Sequence, residues 1–123
     1  MDRAFKTRCF ERWARDTGLT DAALRKTVSE MSAGLIDADL GAGVVKKRVA
    51  LLGRGKSGGV RTIVATKLDG RWFFMYGYEK NVMDSIGAKA LRALQGEAAD
   101  LLTLDADGLV LAVQAGEIQE IAL

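Results

Sequence analysis

Residues 51–65, LLGRGKSGGVRTIVA, decide whether this chain contains a strand–loop–helix nucleotide site or a hairpin of two strands. The Gly55-Lys56-Ser57 triplet has the look of a phosphate-cradling loop. That loop requires G-x-x-x-x-G-K-[ST], and the position where its first glycine should stand is Ala50. It must also open a helix, because the helix N-terminus faces the phosphates. Here Val60 to Thr66 is β-branched and reads as a strand. The glycines Gly53, Gly55, Gly58 and Gly59 then belong to a strand connection. They either permit its turn conformations or let the backbone approach a polyanion closely.

Working outward, Val44 to Leu52 and Arg71 to Lys80 are strand-like runs on either side of Val60 to Leu68, and Asp69-Gly70 is a hairpin turn signal. The expectation is an antiparallel meander. Alternation puts Lys46 and Arg48 on one face of the first run, and Tyr76, Tyr78 and Lys80 on one face of the third. Which faces coincide depends on register, which the sequence does not state. Trp72, Phe74, Tyr76 and Tyr78 recur at period two, as half-buried sheet residues do and as base-stacking platforms can.

Upstream, Phe5, Cys9, Trp13 and Ala14 share a helical face, so a first helix is expected to end near Gly18. Thr20 is a good N-cap for a second, with Leu24, Val28, Met31 and Leu35 at helical spacing and Gly34 as its stop. The segment 37–43 reads as a connector. Downstream, Asp84 can cap a helix from Ser85 carrying Ile86, Leu91, Leu94, Ala98, Leu101 and Leu102. The tail is either a short helix capped at Asp105 or Asp107 and closed at Gly116 with an extended end, or a hairpin. The fold expected is α+β, with an N-terminal helical hairpin packed on a small antiparallel sheet and a C-terminal helix following.

At 123 residues and 49% hydrophobic composition, residues 1–123 suit one globular domain with its own core. One cysteine and no histidine exclude an internal disulfide and a structural zinc site, and no metal or other cofactor is expected. No apolar run approaches the ~18 residues of a membrane span, and the N-terminus lacks a signal-peptide core, so a cytoplasmic protein with no membrane partner is expected. The net charge of +2 hides a strong segregation. Residues 46–80 carry nine basic and two acidic side chains, whereas residues 81–123 carry two basic and seven acidic. A positive field so concentrated favours a polyanionic partner, although solvated strand faces also carry Lys and Arg. The acidic segment after Asp84 is expected to lie away from the basic strands.

Three motifs stand in order: Glu30 to Arg48 (EMSAGLIDADLGAGVVKKR), Gly53 to Thr62 (GRGKSGGVRT) and Gly77 to Asn81 (GYEKN). With them the chain resembles the RelE/HigB superfamily of bacterial toxins, in the RelE-like branch carrying GRGKSGG-x-RT and G-[FY]-x-KN, from about Phe5 to Ile121. The resemblance implies a microbial-RNase-like fold and the toxin of a type II toxin–antitoxin pair. It also implies a ribosome-dependent endoribonuclease that cuts translated mRNA. Its expected partners are the ribosome, mRNA and a cognate antitoxin of helix-turn-helix type. Two other readings stand beside it: a domain that binds RNA or an antitoxin without cutting, and a ParE-like gyrase-directed toxin.

Cleavage by the 2′-hydroxyl requires removing a proton, stabilising a developing dianion and protonating the leaving 5′-oxygen. Without histidine, Arg and Lys supply the electrostatics and Lys or Tyr the proton transfers. By the resemblance, Arg61 is the phosphate-stabilising residue, Lys56 and Lys80 complete the catalytic set, and Tyr78 joins it by proximity. Lys46, Lys47, Arg48, Arg54 and Asn81 are the expected RNA-binding residues. Asn81 replaces a base common in the superfamily, Val60 replaces an aromatic, and no C-terminal tyrosine follows the last helix.

Overall fold

A computed structural model of the chain describes residues 2–51, 55–80 and 86–123, with the backbone alone for residues 55–58. The basic runs form the centre of the sheet. Strands β3 (Val44–Leu51), β4 (Gly55–Ala65) and β5 (Arg71–Glu79) are consecutive antiparallel neighbours. The β4 span bears out the strand reading from Val60 and begins five residues earlier, at Gly55, inside the stretch expected as a connection.

The first departure is at the N-terminus. Phe5 lies in a strand, β1 (Arg3–Thr7), and not on a helix with Cys9 and Trp13. Helix α1 (Arg8–Thr17) starts where the Thr7 side chain accepts a hydrogen bond from the Phe10 N–H at 3.2 Å. Its buried positions are Phe10 and Ala14, while Cys9 is exposed. β1 inserts beside β5 in parallel, Phe5 opposite Phe73, and the stacked rings lie 5.1 Å apart. That pairing spans almost seventy positions of sequence, so periodicity near residue 5 carries no trace of it.

The helical hairpin itself is as expected. Gly18 closes α1 at φ +83°, and Thr20 caps α2 (Asp21–Ser32) by accepting from the Ala23 N–H. Leu24, Val28 and Met31 are buried, but Leu35 lies beyond the helix and is exposed. The supposed connector holds strand β2 (Ala38–Gly41), joined to β3 through Ala42-Gly43. Both turn residues have positive φ, +54° and +80°, as a tight hairpin turn requires.

Between β4 and β5 the chain makes a five-residue loop, Thr66 to Gly70, instead of a two-residue Asp-Gly turn. The Thr66 hydroxyl accepts from the Leu68 N–H at 2.9 Å, ending the strand at Ala65. After β5 come the expected helix, α3 (Ala88–Leu102), then α4 (Ala106–Gln114), one of the two readings of the tail, and then β6 (Ile118–Ile121). Asp105 caps α4 by accepting from the Gly108 N–H at 2.7 Å, so the helical reading of the tail holds. The proposed cap Asp84 lies outside the described residues; α3 has Gly87 at its N-cap position, so Ile86 precedes the helix instead of lying in it.

Among the described residues six strands form one sheet in the order β2-β3-β4-β5-β1-β6, with β1–β5 the one parallel pair. The α1–α2 hairpin covers one face through Phe10, Ala14, Leu24, Val28 and Met31, which meet Val45, Val49, Val60, Val64, Trp72 and Phe74. Helices α3 and α4 cover part of the other, where Ala98, Leu102, Leu109 and Ala112 meet Phe5, Val44, Ile63, Ala65 and Phe73. The α+β expectation of a helical hairpin packed on a sheet holds, on a sheet larger and less uniformly antiparallel than the meander alone suggests.

Candidate functional site

Register brings the basic and tyrosine residues together. Arg48 on β3 stands opposite Arg61 on β4, and Arg61 stands opposite Tyr78 on β5. One row along, Lys46 faces Ile63 and Ile63 faces Tyr76. Side chains alternate along a strand, so Lys46, Arg48, Arg61, Tyr76 and Tyr78 project from one face, the one opposite the helical hairpin.

A bulge makes this possible on β5. Ile63 pairs with Tyr76 and Val64 with Phe74, leaving Met75 as the extra residue. Simple alternation would put Trp72, Phe74, Tyr76 and Tyr78 on one side. The bulge instead sends Trp72 and Phe74 into the core under the hairpin and turns the tyrosines to the opposite face. The tyrosine rings lie 6.2 Å apart. Between them Gly77 has the Trp13 indole so close that a Cβ would sit 2.1 Å from its ring. The glycine of the strand-end motif is thus explained by packing behind the row.

The electrostatics of the row are unusual. Arg61 is 7% exposed and Tyr78 3%, yet Arg61 Nη1 and the Tyr78 hydroxyl are buried without a hydrogen-bond partner. A guanidinium cannot shed its charge, and a buried polar donor without an acceptor costs free energy. These two donors stand at paired positions on β4 and β5. Burial pushes the Tyr78 phenol above its ordinary pKa, Tyr76 adds to the effect, and the opposing Arg61 charge does not reverse it. Tyr78 is therefore a proton donor at neutral pH and not a phenolate base.

Arg48 is held differently. One oxygen of Asp37 accepts from the Arg48 backbone N–H at 2.7 Å, and the other accepts from its Nε at 3.0 Å. Asp37 belonged to the connector in the sequence reading; its target, eleven positions away, is set only by the β2–β3 pairing.

The remaining expected residues are not all brought here. Lys47 points to the other face, is 3% exposed and pairs with Glu30 of α2 at 3.0 Å. It ties the hairpin to the sheet and does not share the face with Arg61. Lys80 is exposed one residue past the end of β5. Arg54, Asn81 and the Lys56 side chain lie outside the described residues. The acidic segment is also nearer than expected. α3 packs on the same face as the row, at its Val44–Ala65–Phe73 end, and the Gln95 side chain donates to the Leu40 carbonyl. Neither Glu97 nor Asp100 pairs with Lys46 or Arg48, whose described ion pair is with Asp37.

A family model described as the RelE toxin of the RelE / RelB toxin-antitoxin system matches residues 2–121. No curated protein matches the chain. No helix among the described residues is long and apolar enough to cross a membrane.

Proposed function

The chain belongs to the RelE toxin family of toxin–antitoxin systems, and from that premise we propose that it is an endoribonuclease cutting mRNA on the ribosome. One observation carries the reading: Arg61 and Tyr78 bury unpartnered donors side by side, with Arg48 as the next residue in the row. In this reading the scissile phosphate supplies the missing acceptor. Arg61 and Arg48 hold its non-bridging oxygens and stabilise the dianion that forms as the 2′-oxygen attacks. The 2′-hydroxyl gives its proton to solvent water as its oxygen bonds to phosphorus, and the P–O5′ bond breaks, leaving a 2′,3′-cyclic phosphate. The departing 5′-oxygen takes its proton from Tyr78, whose phenolate the Arg61 charge then stabilises. Lys46 and Tyr76 line the adjoining stretch of the RNA path. Lys80, Lys56, Arg54 and Asn81 are proposed for the same path on family resemblance alone. A helix-turn-helix antitoxin and a cytoplasmic location belong to the same proposal.

A second reading, RNA or antitoxin binding without cleavage, is favoured by the state of Tyr78. Burial keeps it protonated, so it is not a ready base for the 2′-hydroxyl.

Mapping mRNA 5′ ends after adding the protein to a translating extract separates the two. Codon-phased new ends, absent without ribosomes and reduced at least 100-fold by Arg61→Ala, are the expected result. Intact mRNA in the presence of folded protein would select the binding reading. Equal cutting by Arg61→Ala would remove Arg61 from the site.

A further inference from the structure

Helix α4 reads LVLAV from Leu109 to Val113, and a helix that is apolar on every side needs cover on every side. One side has it. Leu109 and Ala112 are buried in the cluster that contains Phe5, Phe73 and Ile118. The outward side does not: Val110 is 54% exposed, Leu111 65% and Val113 40%. Single exposed leucines are ordinary on a protein surface. Here three of the six large apolar side chains exposed among the described residues stand within about one turn of one helix, which marks a contact surface. Asp107, Val110, Leu111 and Gln114 follow the i, i+3, i+4, i+7 spacing of one continuous helix face.

The surroundings of that face are mostly acidic. Residues 93–123 contain six acidic residues and no Lys or Arg. Arginines from elsewhere in the fold reach this segment, but Arg8, Arg25 and Arg71 donate to backbone carbonyls, and Arg3 alone meets a carboxylate, that of Glu120. Glu97, Asp100, Asp105, Asp107 and Glu117 have no described ion pair. RNA phosphates, an anionic lipid surface and the α4 of a second copy would all bring negative charge to these carboxylates. A basic protein segment brings the complementary charge.

The geometry points to the outward face of α4 as a docking surface for a basic amphipathic segment of a partner protein. Its apolar side chains cover Val110 and Leu111, and its Lys or Arg side chains meet Asp107 on the same face. The inference goes beyond the RNase reading and does not depend on it, because Arg48, Arg61 and Tyr78 take no part.

The test uses the full chain, with a labelled synthetic amphipathic peptide of leucine and lysine as the probe. Its counterpart carries Glu for every Lys, and a 2′-O-methyl RNA oligonucleotide serves as the polyanion control. The double variant V110Q/L111Q removes the apolar side chains while keeping good helix formers, and D107N removes the charge. The expected result is that wild type binds the Leu/Lys peptide and not the Leu/Glu peptide. V110Q/L111Q should weaken that binding about 10-fold or more, and D107N about 3-fold. The unfolding midpoint and the RNA affinity of V110Q/L111Q should match those of wild type, because both side chains face solvent in the free chain.

No Leu/Lys binding by folded wild type, equal binding by V110Q/L111Q or D107N, or equal binding of the Leu/Glu peptide would overturn the docking surface. A lowered unfolding midpoint in V110Q/L111Q would do the same by making these side chains part of the chain's own core, as would a loss of RNA affinity in that variant. Sedimentation of the chain alone tests the remaining occupant. Concentration-dependent dimerisation abolished by V110Q/L111Q would give the face to a second copy and overturn the proposal.

Discussion

At the scale of single residues, the site stands out by what its side chains lack. Removing the buried, unpartnered Tyr78 hydroxyl by Tyr78→Phe takes away a desolvated donor without opening a cavity. Urea unfolding should therefore show equal or greater stability, by about 1 kcal/mol, while cleavage falls about 100-fold. A matching loss of both would mean that the hydroxyl is structural. Asp37 makes a pH prediction. Burial alone would raise its pKa, but the hydrogen bonds and charge of Arg48, with the charge of Lys47, hold it below the ordinary carboxylate range. A carboxyl depressed by folding stabilises the native state above its unfolded pKa of about 3.9, and the contribution is lost as pH falls through the lower native value. The stability difference between wild type and D37N should be constant near neutrality and shrink below about pH 4 in pH-dependent urea unfolding. Arg61 was legible from the motif around it. Its missing acceptor was not, because burial and partners are properties of the packed sheet.

At the scale of elements, local signals were read well wherever their cause is local. Thr20 and Gly18 act within one helical turn of themselves, and both terminate helices where the sequence places them. Thr20→Ala should cost about 1 kcal/mol by thermal or urea unfolding. Thr7 is an equally good cap, but Phe5 happened to fit a helical spacing with Cys9 and Trp13, so the strand before it was missed. The β5 bulge was likewise hidden, because an extra residue is defined only against a partner strand. Behind that strand, Gly77→Ala drives a methyl into the Trp13 ring and should destabilise by about 1–3 kcal/mol. Recovery of part of that loss by adding Trp13→Leu would confirm the contact in a double-mutant cycle.

At the scale of the whole molecule, a six-strand sheet separates a supporting side, under the helical hairpin, from the side that carries Arg48, Arg61 and Tyr78. Lys47 and Glu30 join α2 to β3 on the supporting side. Lys47→Ala removes the nearly buried Lys47–Glu30 ion pair and should cost about 1.5–3 kcal/mol, with cleavage per folded molecule unchanged. Reduced cleavage at full folding would return Lys47 to the RNA path. The chain by itself determined the strand character after the glycine-rich stretch, the helical hairpin, the segregation of charge and the three motifs that carry the resemblance. Each depends on neighbouring residues or on their order along the chain. Only the tertiary structure decided that β1 lies between β5 and β6, that the Lys47 face of β3 is the one under the helical hairpin, and that Arg48, Arg61 and Tyr78 form one row. Those facts follow from register and from pairing between distant segments. A one-residue shift in register turns a side chain to the opposite face, and nothing in local propensity fixes that shift.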